Sequence, residues 1–312
     1  MNFPVSDVTI DPFVLVTIGF FVGVLGGLFG VGGSFFVTPA LYALGLPMAI
    51  AVGTDLAHIL GKSIVAAKRH RVLGNIDFKL GLLMVAATMV GVEIGVRSIQ
   101  RLKHTRYLDL VVGGAFICVL VFISAFMLWE SIQTFRLKKA ALKRSGSRAK
   151  SDASAFGYMA KAIQRFPLPP YVRLPVSNIA RISVWPIFAV ALFGGFFSGF
   201  FGGGAGYIRM PALIYLLGIP THIAVGTDLF EIVISASYGT YSHAIHGNVD
   251  ILIALVMLTG AALGARIGAQ LTQYIKGPGL RLAFIPLPLL GAALLLNRLW
   301  PLLEGLMKRH GL

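Results

Sequence analysis

Eight continuous apolar stretches of about 20 residues restrict the possible folds of this 312-residue chain more than any other feature. A stretch of that length lets one helix cross the hydrocarbon core of a bilayer. Only 12% of the residues are charged, whereas about a quarter are charged in a water-soluble domain. The stretches predict an all-α polytopic membrane protein and not a β-barrel, which would need alternating apolar and polar residues. The predicted spans are Phe13–Phe29, Ala49–Ala67, Phe78–Val96, Leu108–Trp129, Val184–Phe201, Ile223–Ser242, Ile251–Gln273 and Leu282–Leu303.

Two glycine-rich phrases lie within this apolar sequence: GGLFGVGGSFFVTPALYALGLP at residues 26–47 and SGFFGGGAGYIRMPALIYLLGIP at residues 198–220. Each contains a further apolar segment, Ser34–Leu44 and Ala205–Leu217, that is too short to cross a bilayer comfortably. Irregular backbone survives at membrane depth only where it is buried in protein or lines a water-filled cavity. Each phrase therefore predicts a broken helix or a re-entrant segment.

The two phrases belong to a longer internal match. The first phrase matches the second at an offset of 172 residues. After one inserted residue, AVGTDL occurs at Ala51–Leu56 and again at Ala224–Leu229, an offset of 173. GNID at residues 74–77 recurs as GNVD at residues 247–250 with the same offset. These colinear matches predict an internal repeat, which is common in transporters that bind substrate between the repeats.

The expected architecture is two homologous four-span repeats, each with one glycine-rich broken helix. The first repeat is placed at residues 1–129, a basic cytoplasmic linker at 130–183 and the second repeat at 184–312. Glycines one helical turn apart occur at matching positions of both repeats and predict close helix packing, because small residues let membrane helices approach. These pairs are Gly91 with Gly95 and Gly264 with Gly268.

The formal net charge of +15 is concentrated between the predicted repeats. The segment from Glu130 to Arg181 carries eleven of the 27 basic residues and two acidic residues. Basic segments also bind nucleic acid, but a basic loop between membrane spans follows the positive-inside rule, so we expect lipid contacts and no nucleic acid. Four spans per repeat place this linker, Lys68–Arg71 and Lys308–His310 together in the cytoplasm. Counting the short segments as full crossings would invert the repeats.

The glycine phrases form the predicted substrate site. Glycine adopts positive φ and lets a ligand approach the main chain closely. A helix that restarts after a break directs free N–H groups and its positive dipole end at the gap, which favours a small anion. The alternative is that these glycines only allow close helix packing. The predicted substrate-binding residues are Gly30, Gly32, Gly33, Ser34, Gly202, Gly203, Gly204 and Gly206, with Thr54 and Thr227 of the AVGTDL sequences.

The glycine-proline phrases, the paired AVGTDL and the paired GN(I/V)D together resemble the sulfite exporter TauE/SafE family. The resemblance covers both apolar halves but not the basic linker. It implies a secondary carrier, working without ATP in a bacterial cytoplasmic membrane, for sulfite, a sulfonate such as sulfoacetate, or thiosulfate. We expect no cofactor, no bound metal and no enzymatic activity. The family commonly has serine after this Gly-Thr, where both halves here have aspartate, Asp55 and Asp228.

Charged residues within spans mark a transport pathway or a paired site. Asp55 is followed one turn later by His58, and Asp228 by Glu231, so these four residues predict a proton-coupling site. Lys62 follows on roughly the same face as Asp55.

Arg209 lies in the second glycine phrase, where the first has the apolar Val37. Its guanidinium is predicted either to bind two oxygens of the anion or to act as counter-ion to Asp228 or Glu231. His70 and His243 lie near span ends and are predicted to be interfacial.

Two other functions are open. A divalent metal-ion permease would use Asp55, His58, Asp228 and Glu231 as ligands. A membrane enzyme or assembly factor is the second alternative, but no cysteine pair, Ser-His-Asp order or His-Glu-x-x-His pattern supports it.

Overall fold

The computed structural model describes residues 1–30, 33–105, 107–145, 157–275 and 282–310. These residues form a helical bundle with two small β-hairpins and a 3₁₀ turn at Gly203–Ala205. The strands are β1 (Asn2–Phe3), β2 (Val8–Thr9), β3 (Tyr171–Leu174) and β4 (Ile179–Ser183). The helices are α1 (Pro12–Phe29), α2 (Ser34–Ala43), α3 (Met48–Val72), α4 (Phe78–Lys103), α5 (Leu108–Ser145), α6 (Gly157–Gln164), α7 (Val184–Phe201), α8 (Gly206–Tyr215), α9 (Thr221–Ala244), α10 (Ile251–Leu271) and α11 (Pro286–His310).

Seven helices in the described part of the chain are long and apolar enough to cross a membrane. The predicted multi-pass helical class is therefore confirmed. The remaining predicted span corresponds to α9, which has 24 residues but carries acidic, hydroxyl and glycine residues along its length. The seven candidate spans are Pro12–Phe29, Met48–Val72, Phe78–Lys103, Leu108–Gln133, Val184–Phe201, Ile251–Leu271 and Leu282–Glu304.

The aspartates of the two GN(I/V)D sequences organise the ends of the bundle. Asp77 caps α4 by accepting the Leu80 N–H at 3.1 Å, and Asp250 caps α10 in the same way. Each also holds a hairpin, because the Ser177 hydroxyl donates to Asp77 at 2.7 Å and the Ser6 hydroxyl donates to Asp250 at 2.8 Å. The repeated aspartate thus joins a helix start to the hairpin that precedes another helix.

Contacts to these two aspartates establish which helix ends lie together. At one end of the bundle, the Asp250 end, Ser6 and Thr54 both contact Asp250, so α1, α3 and α10 begin there. At the opposite end, the Asp77 end, Ser177 and Thr227 contact Asp77, so α4, α7 and α9 begin there. Helices α3 and α9 therefore run in opposite directions.

The short helix α2 returns the chain across the bundle. The His70 ring, near the end of α3, contacts the Gly27 carbonyl, so α1 ends toward the Asp77 end. Since α3 starts again at the Asp250 end, α2 and its flanking residues must bring the chain back. In the second half, His243 contacts the Gly199 carbonyl near the end of α7, and α8 makes the reverse return.

The expected parallel orientation of the two halves is therefore wrong, whereas the eight predicted spans correspond to α1, α3, α4 and α5 and to α7, α9, α10 and α11. Each half uses five helices, and the two halves run in opposite directions. The C-terminal Lys308–His310 also lies at the opposite end from the linker, because α11 runs to the Asp250 end. There Arg298 and Pro301 line a groove with Tyr42 and Asp109. The predicted orientation failed because the short helices α2 and α8, unable to span a bilayer alone, still reverse the chain direction.

The paired glycines pack helices together, as predicted. A Cβ atom on Gly91 would collide with the Leu192 carbonyl of α7, and one on Gly264 would collide with the Phe20 carbonyl of α1. A Cβ atom on Gly95 would likewise collide with the backbone of α7, and one on Gly268 would collide with the backbone of α1. Backbones at this separation leave no room for a side chain.

The described part of the segment predicted as a linker contains regular secondary structure. Helix α5 continues past the predicted end at Trp129 to Ser145, through residues with good helix propensity such as Leu, Lys and Ala. The linker also contains α6 and the hairpin β3–β4.

Candidate functional site

Both glycine phrases interrupt helices at buried positions. Gly30 ends α1 with φ +71°, and Gly33 precedes α2 with φ +76°. In the second phrase Gly202, Gly203 and Gly204 have φ values of +87°, +67° and +78° before α8 begins. The positive φ values explain why glycine is required at these positions. The predicted Gly32 and the side chain of Ser34 lie outside the described residues, and Gly206 is the first residue of α8 with a helical φ of −58°.

Each break packs against the AVGTDL helix of the other half. A Cβ on Gly30 would lie 2.6 Å from the Val225 Cα of α9. A Cβ on Gly202 would lie 2.9 Å from the Thr38 hydroxyl and from the Val52 carbonyl of α3. Close packing is therefore one confirmed role of these two glycines, and their anion-binding role stays a prediction.

The first charged cluster consists of Asp55, His58 and Lys62 on one face of α3, all buried. The His58 Nδ1 lies 3.8 Å from Asp55 Oδ1 and 3.5 Å from the Lys62 ammonium. The Thr38 hydroxyl of α2 lies 2.8 Å from Asp55 Oδ2 and 3.1 Å from the Phe201 carbonyl, which ends α7. Asp55 is therefore linked through Thr38 to the helix break of the second half.

The second charged cluster consists of Arg209, Asp228 and Glu231, also fully buried. The Arg209 Nε donates to Asp228 Oδ1, and Nη1 lies 2.5 Å from Glu231 Oε2. Among the described residues, Arg209 Nη2 and Asp228 Oδ2 have no hydrogen-bond partner. The prediction that Arg209 is a counter-ion to these acids is confirmed. Its contact with a substrate stays a prediction, for which Nη2 has a free donor.

The two clusters take their positive charge from different elements. Lys62 comes from α3, where the matching position of α9 is Ser235. Arg209 comes from α8, where the matching position of α2 is Val37. The first set therefore places one acid, a histidine and a lysine in the bundle interior, and the second places two acids and an arginine there, with unlike geometry.

These breaks and clusters sit in a chain whose sequence matches a family model over residues 15–295, most of its length. That model is described as Sulfite exporter TauE/SafE. The chain belongs to the TauE/SafE family. As a family member it is a multi-pass membrane transporter and not an enzyme.

Similar proteins support this membership along nearly the whole TauE/SafE chain. "Probable membrane transporter protein YunE" of Bacillus subtilis is 26% identical over 271 residues, covering 84% of this chain and 89% of the relative. "Probable membrane transporter protein YdhB" of the same organism is 25% identical over 285 residues, covering 91% and 99%. "Probable membrane transporter protein MJ0441" of Methanocaldococcus jannaschii is 27% identical over 289 residues, covering 86% and 89%. No solved structure matches the chain.

Thr54 and Thr227 of this TauE/SafE protein make structural contacts at opposite ends of the bundle. The Thr54 hydroxyl accepts the Asp250 backbone N–H at 2.9 Å, and the Thr227 hydroxyl accepts the Asp77 N–H at 2.9 Å. Both threonines are buried. Their substrate-binding role stays a prediction.

The two histidines predicted to be interfacial lie near helix ends and are buried within the protein. His70 Nε2 lies 3.1 Å from the Gly27 carbonyl, and His243 Nε2 lies 3.0 Å from the Gly199 carbonyl. Each ring holds the end of a helix that leads into a glycine break. Their position at the membrane interface stays a prediction, and nearness to a span end in sequence did not reveal the carbonyl partner on another helix.

The described residues contain no group of three or more His, Cys, Asp or Glu side chains placed to hold a metal ion. In the second charged cluster both acids already face Arg209. A guanidinium beside the carboxylates opposes a second cation by Coulomb repulsion. The metal-permease alternative therefore has no specific support from this geometry.

Proposed function

We propose that this TauE/SafE protein is a proton-coupled secondary transporter for a small sulfur-containing anion: sulfite, a sulfonate such as sulfoacetate, or thiosulfate. The observation that carries the proposal is Arg209, a fully buried cation in the first turn of α8 whose Nη2 has no hydrogen-bond partner in the described part of the chain. A buried charge inside a membrane protein is costly and marks a functional site by default. Family membership supports the transport of a small anion.

The proposed anion site combines Arg209 with main-chain donors of the two glycine breaks. The Gly30 and Gly202 N–H groups already donate to the Gly26 and Ser198 carbonyls, so the proposed neutral donors are the other main-chain N–H groups of the two glycine phrases. The start of α8 adds the positive end of its dipole. Arg209 supplies charge-assisted hydrogen bonds to the sulfur-bound oxygens. Nε and Nη1 of Arg209 face Asp228 and Glu231, so the proposed contact with the anion uses Nη2.

Charge balance motivates the proton coupling. With His58 neutral and the other groups charged, Asp55 and Lys62 would cancel, whereas Arg209 would face two carboxylates, for one excess negative charge in the two clusters. A bound substrate anion adds a second negative charge. Two neighbouring acids in a low-dielectric site are stabilised when one of them binds a proton. A proton held by Asp55, His58, Asp228 or Glu231 therefore favours anion occupancy, and the proton and the anion cross together.

We infer that the two halves are an inverted internal repeat that works by alternating access, in which the fixed site opens first to one side and then to the other. The equivalent hydrogen bonds of Thr54 and Thr227 and of His70 and His243 support the duplication. The Asp77 end is assigned to the cytoplasm of a bacterium, because it holds Lys68–Arg71 and most of the basic linker. Both termini are then outside.

Liposome flux tests the function. Purified protein would be reconstituted, and uptake of labelled sulfite, thiosulfate, sulfoacetate, taurine and sulfate would be measured with and without a pH gradient. We expect at least one sulfur anion to enter unchanged and to accumulate further when the outside is acidic. Transport of none of the five, or uptake of a divalent metal instead, would refute the proposal.

A further inference from the structure

Four basic side chains meet at two adjoining grooves beside the hairpin β3–β4. We call Lys161, Arg165, Arg173 and Arg181 the basic hairpin surface. One groove has a volume of about 1090 Å³ and is lined by the hairpin, including Arg173 and Arg181. The other, of about 510 Å³, is lined by Lys161, Arg165 and again Arg181. No acidic side chain is among the lining residues of either groove in the described part of the chain.

The basic hairpin surface is held in place by the bundle. The Arg181 guanidinium carbon lies 3.7 Å from the centre of the Tyr171 ring, a cation–π contact that orients the side chain. The Lys79 ammonium, at the start of α4, donates to the Arg173 carbonyl at 3.0 Å. The Gln164 amide donates to the Leu217 carbonyl at 2.8 Å and ties α6 to the segment after α8. The cations are therefore presented by an ordered framework.

The grooves adjoin the start of a candidate membrane span. Strand β4 ends at Ser183, and the next residue begins α7, a candidate membrane span. Trp185 in the first turn of α7 is half exposed, and its indole N–H donates to the Pro169 carbonyl at 2.9 Å. Exposed Trp at this position is typical of the membrane–water interface. Phe166 and Leu168 are exposed beside the second groove and provide apolar contacts for acyl chains.

The first hairpin provides an internal comparison. Hairpin β1–β2 precedes α1 and holds Asp250 through Ser6, just as the second hairpin holds Asp77 through Ser177. Residues 1–11 nevertheless contain no lysine or arginine and carry two aspartates. The structural role shared by the hairpins does not require basic residues. The cations of the second hairpin therefore need a separate explanation.

We propose that the basic hairpin surface binds the phosphate of an anionic phospholipid in the leaflet that faces the linker. Guanidinium groups bind phosphate oxygens in pairs, and basic side chains next to a span attract anionic lipid. The surrounding charge agrees, because eleven basic residues lie between Glu130 and Arg181. The occupant is a membrane lipid and not a soluble anion, since the exposed apolar side chains adjoin the cations. This site is separate from the transport site and does not depend on the substrate.

Native mass spectrometry of the full-length protein tests this site. The wild type would be titrated with phosphatidylglycerol and with phosphatidylcholine of the same acyl chains. Each cation near an anionic surface contributes about fivefold in affinity, so Arg165→Gln should weaken phosphatidylglycerol binding about fivefold and Arg173→Gln/Arg181→Gln about 25-fold. The matched control is Arg97→Gln/Arg101→Gln, which removes two exposed cations at the Asp250 end and should leave binding unchanged.

The outcomes distinguish the possibilities. Arg165 lies outside the hairpin, so its variant reports on binding even if the double variant disturbs the Tyr171 contact, and melting in detergent checks folding of both. If the wild type retained phosphatidylglycerol and phosphatidylcholine equally, the proposed lipid site would be overturned. An equal loss of phosphatidylglycerol binding in the control variant Arg97→Gln/Arg101→Gln would also overturn the proposed site. If inorganic phosphate displaces phosphatidylglycerol at equal concentration, the surface binds soluble anions and the lipid assignment fails.

Discussion

Arg209 and Asp228 form a direct ion pair in the interior of the bundle, with Arg209 Nε donating to Asp228 Oδ1. Neither side chain is exposed, and Glu231 approaches the same guanidinium from the next turn of α9. Removing one member of a buried pair leaves an uncompensated charge, which is strongly destabilising. The short α8 is thus held to α9 by the residue that also offers a free donor to an anion.

Arg209→Lys is expected to weaken substrate binding while the protein still folds. Lysine keeps the positive charge that the two carboxylates need but cannot form two parallel hydrogen bonds. The loss of one charge-assisted hydrogen bond, about 1.5–3 kcal/mol, raises the KM for the transported anion at least tenfold. Concentration-dependent flux in liposomes measures this. Arg97→Lys, at an exposed ion pair with Glu93, is the control, and an equal KM in both variants would make Arg209 purely structural.

Asp55→Asn is expected to remove the response to a pH gradient while anion exchange continues. Asparagine is nearly isosteric, so its side-chain carbonyl still accepts the Thr38 hydroxyl that contacts Asp55 at 2.8 Å. It binds no proton in the physiological range, so its charge no longer depends on pH. Uptake with and without an imposed gradient gives the result. Asp11→Asn replaces an exposed helix-capping carboxylate and should leave the response intact. Unchanged coupling in Asp55→Asn would transfer the proton role to Asp228 or Glu231.

Much of the fold follows from the sequence, but the direction of its two halves does not. Continuous apolar runs predict the helices because bilayer thickness sets their length. Glycines at Gly91 and Gly264 predict packing because only glycine permits such close backbones. Chain direction depends on contacts such as Thr54 with Asp250, which join residues 196 positions apart. No local periodicity encodes a contact of that separation.

The charged clusters were only partly predictable for the same reason. Helical spacing brings Asp55 next to His58, because residues three apart share a face. It does not reveal that Thr38 of α2 reaches Asp55, since that contact depends on how α2 returns across the bundle. The pairing of Arg209 with Asp228 was one of two open roles, and only the position of α8 against α9 decides it.

Gly264→Val is expected to destabilise the protein. Its side chain would be forced into the Phe20 carbonyl of α1, separating α1 from α10. Overpacking a tight contact costs about 1–3 kcal/mol or more. Gly114→Val on α5 is the matched control, because a Cβ there meets nothing within 4 Å. Melting temperatures in detergent compare the two, and equal stability would contradict the close-packing role.

His243→Ala is expected to lower stability by about 1–3 kcal/mol, because it leaves the buried Gly199 carbonyl without its side-chain partner. The end of α7 loosens just before the second glycine break, so transport slows as well. His104→Ala removes an exposed histidine after α4 and provides the comparison. Thermal unfolding and flux are measured on both. A His243 variant as stable and active as the His104 variant would show that this hydrogen bond is dispensable.

Gly204→Ala is expected to abolish anion flux without preventing membrane insertion. Gly204 has φ +78°, and a Cβ would lie 3.0 Å from the Ile232 side chain of α9, so alanine adds both backbone strain and crowding at the break. Strain alone costs about 1–2 kcal/mol for a left-handed residue. Gly74→Ala separates the two effects, because Gly74 has φ +71° and a Cβ there meets nothing within 4 Å. Protein amount in the membrane and flux per molecule are measured for both variants. If Gly74→Ala loses as much flux as Gly204→Ala, backbone strain explains the loss, and the second break has no special role in transport.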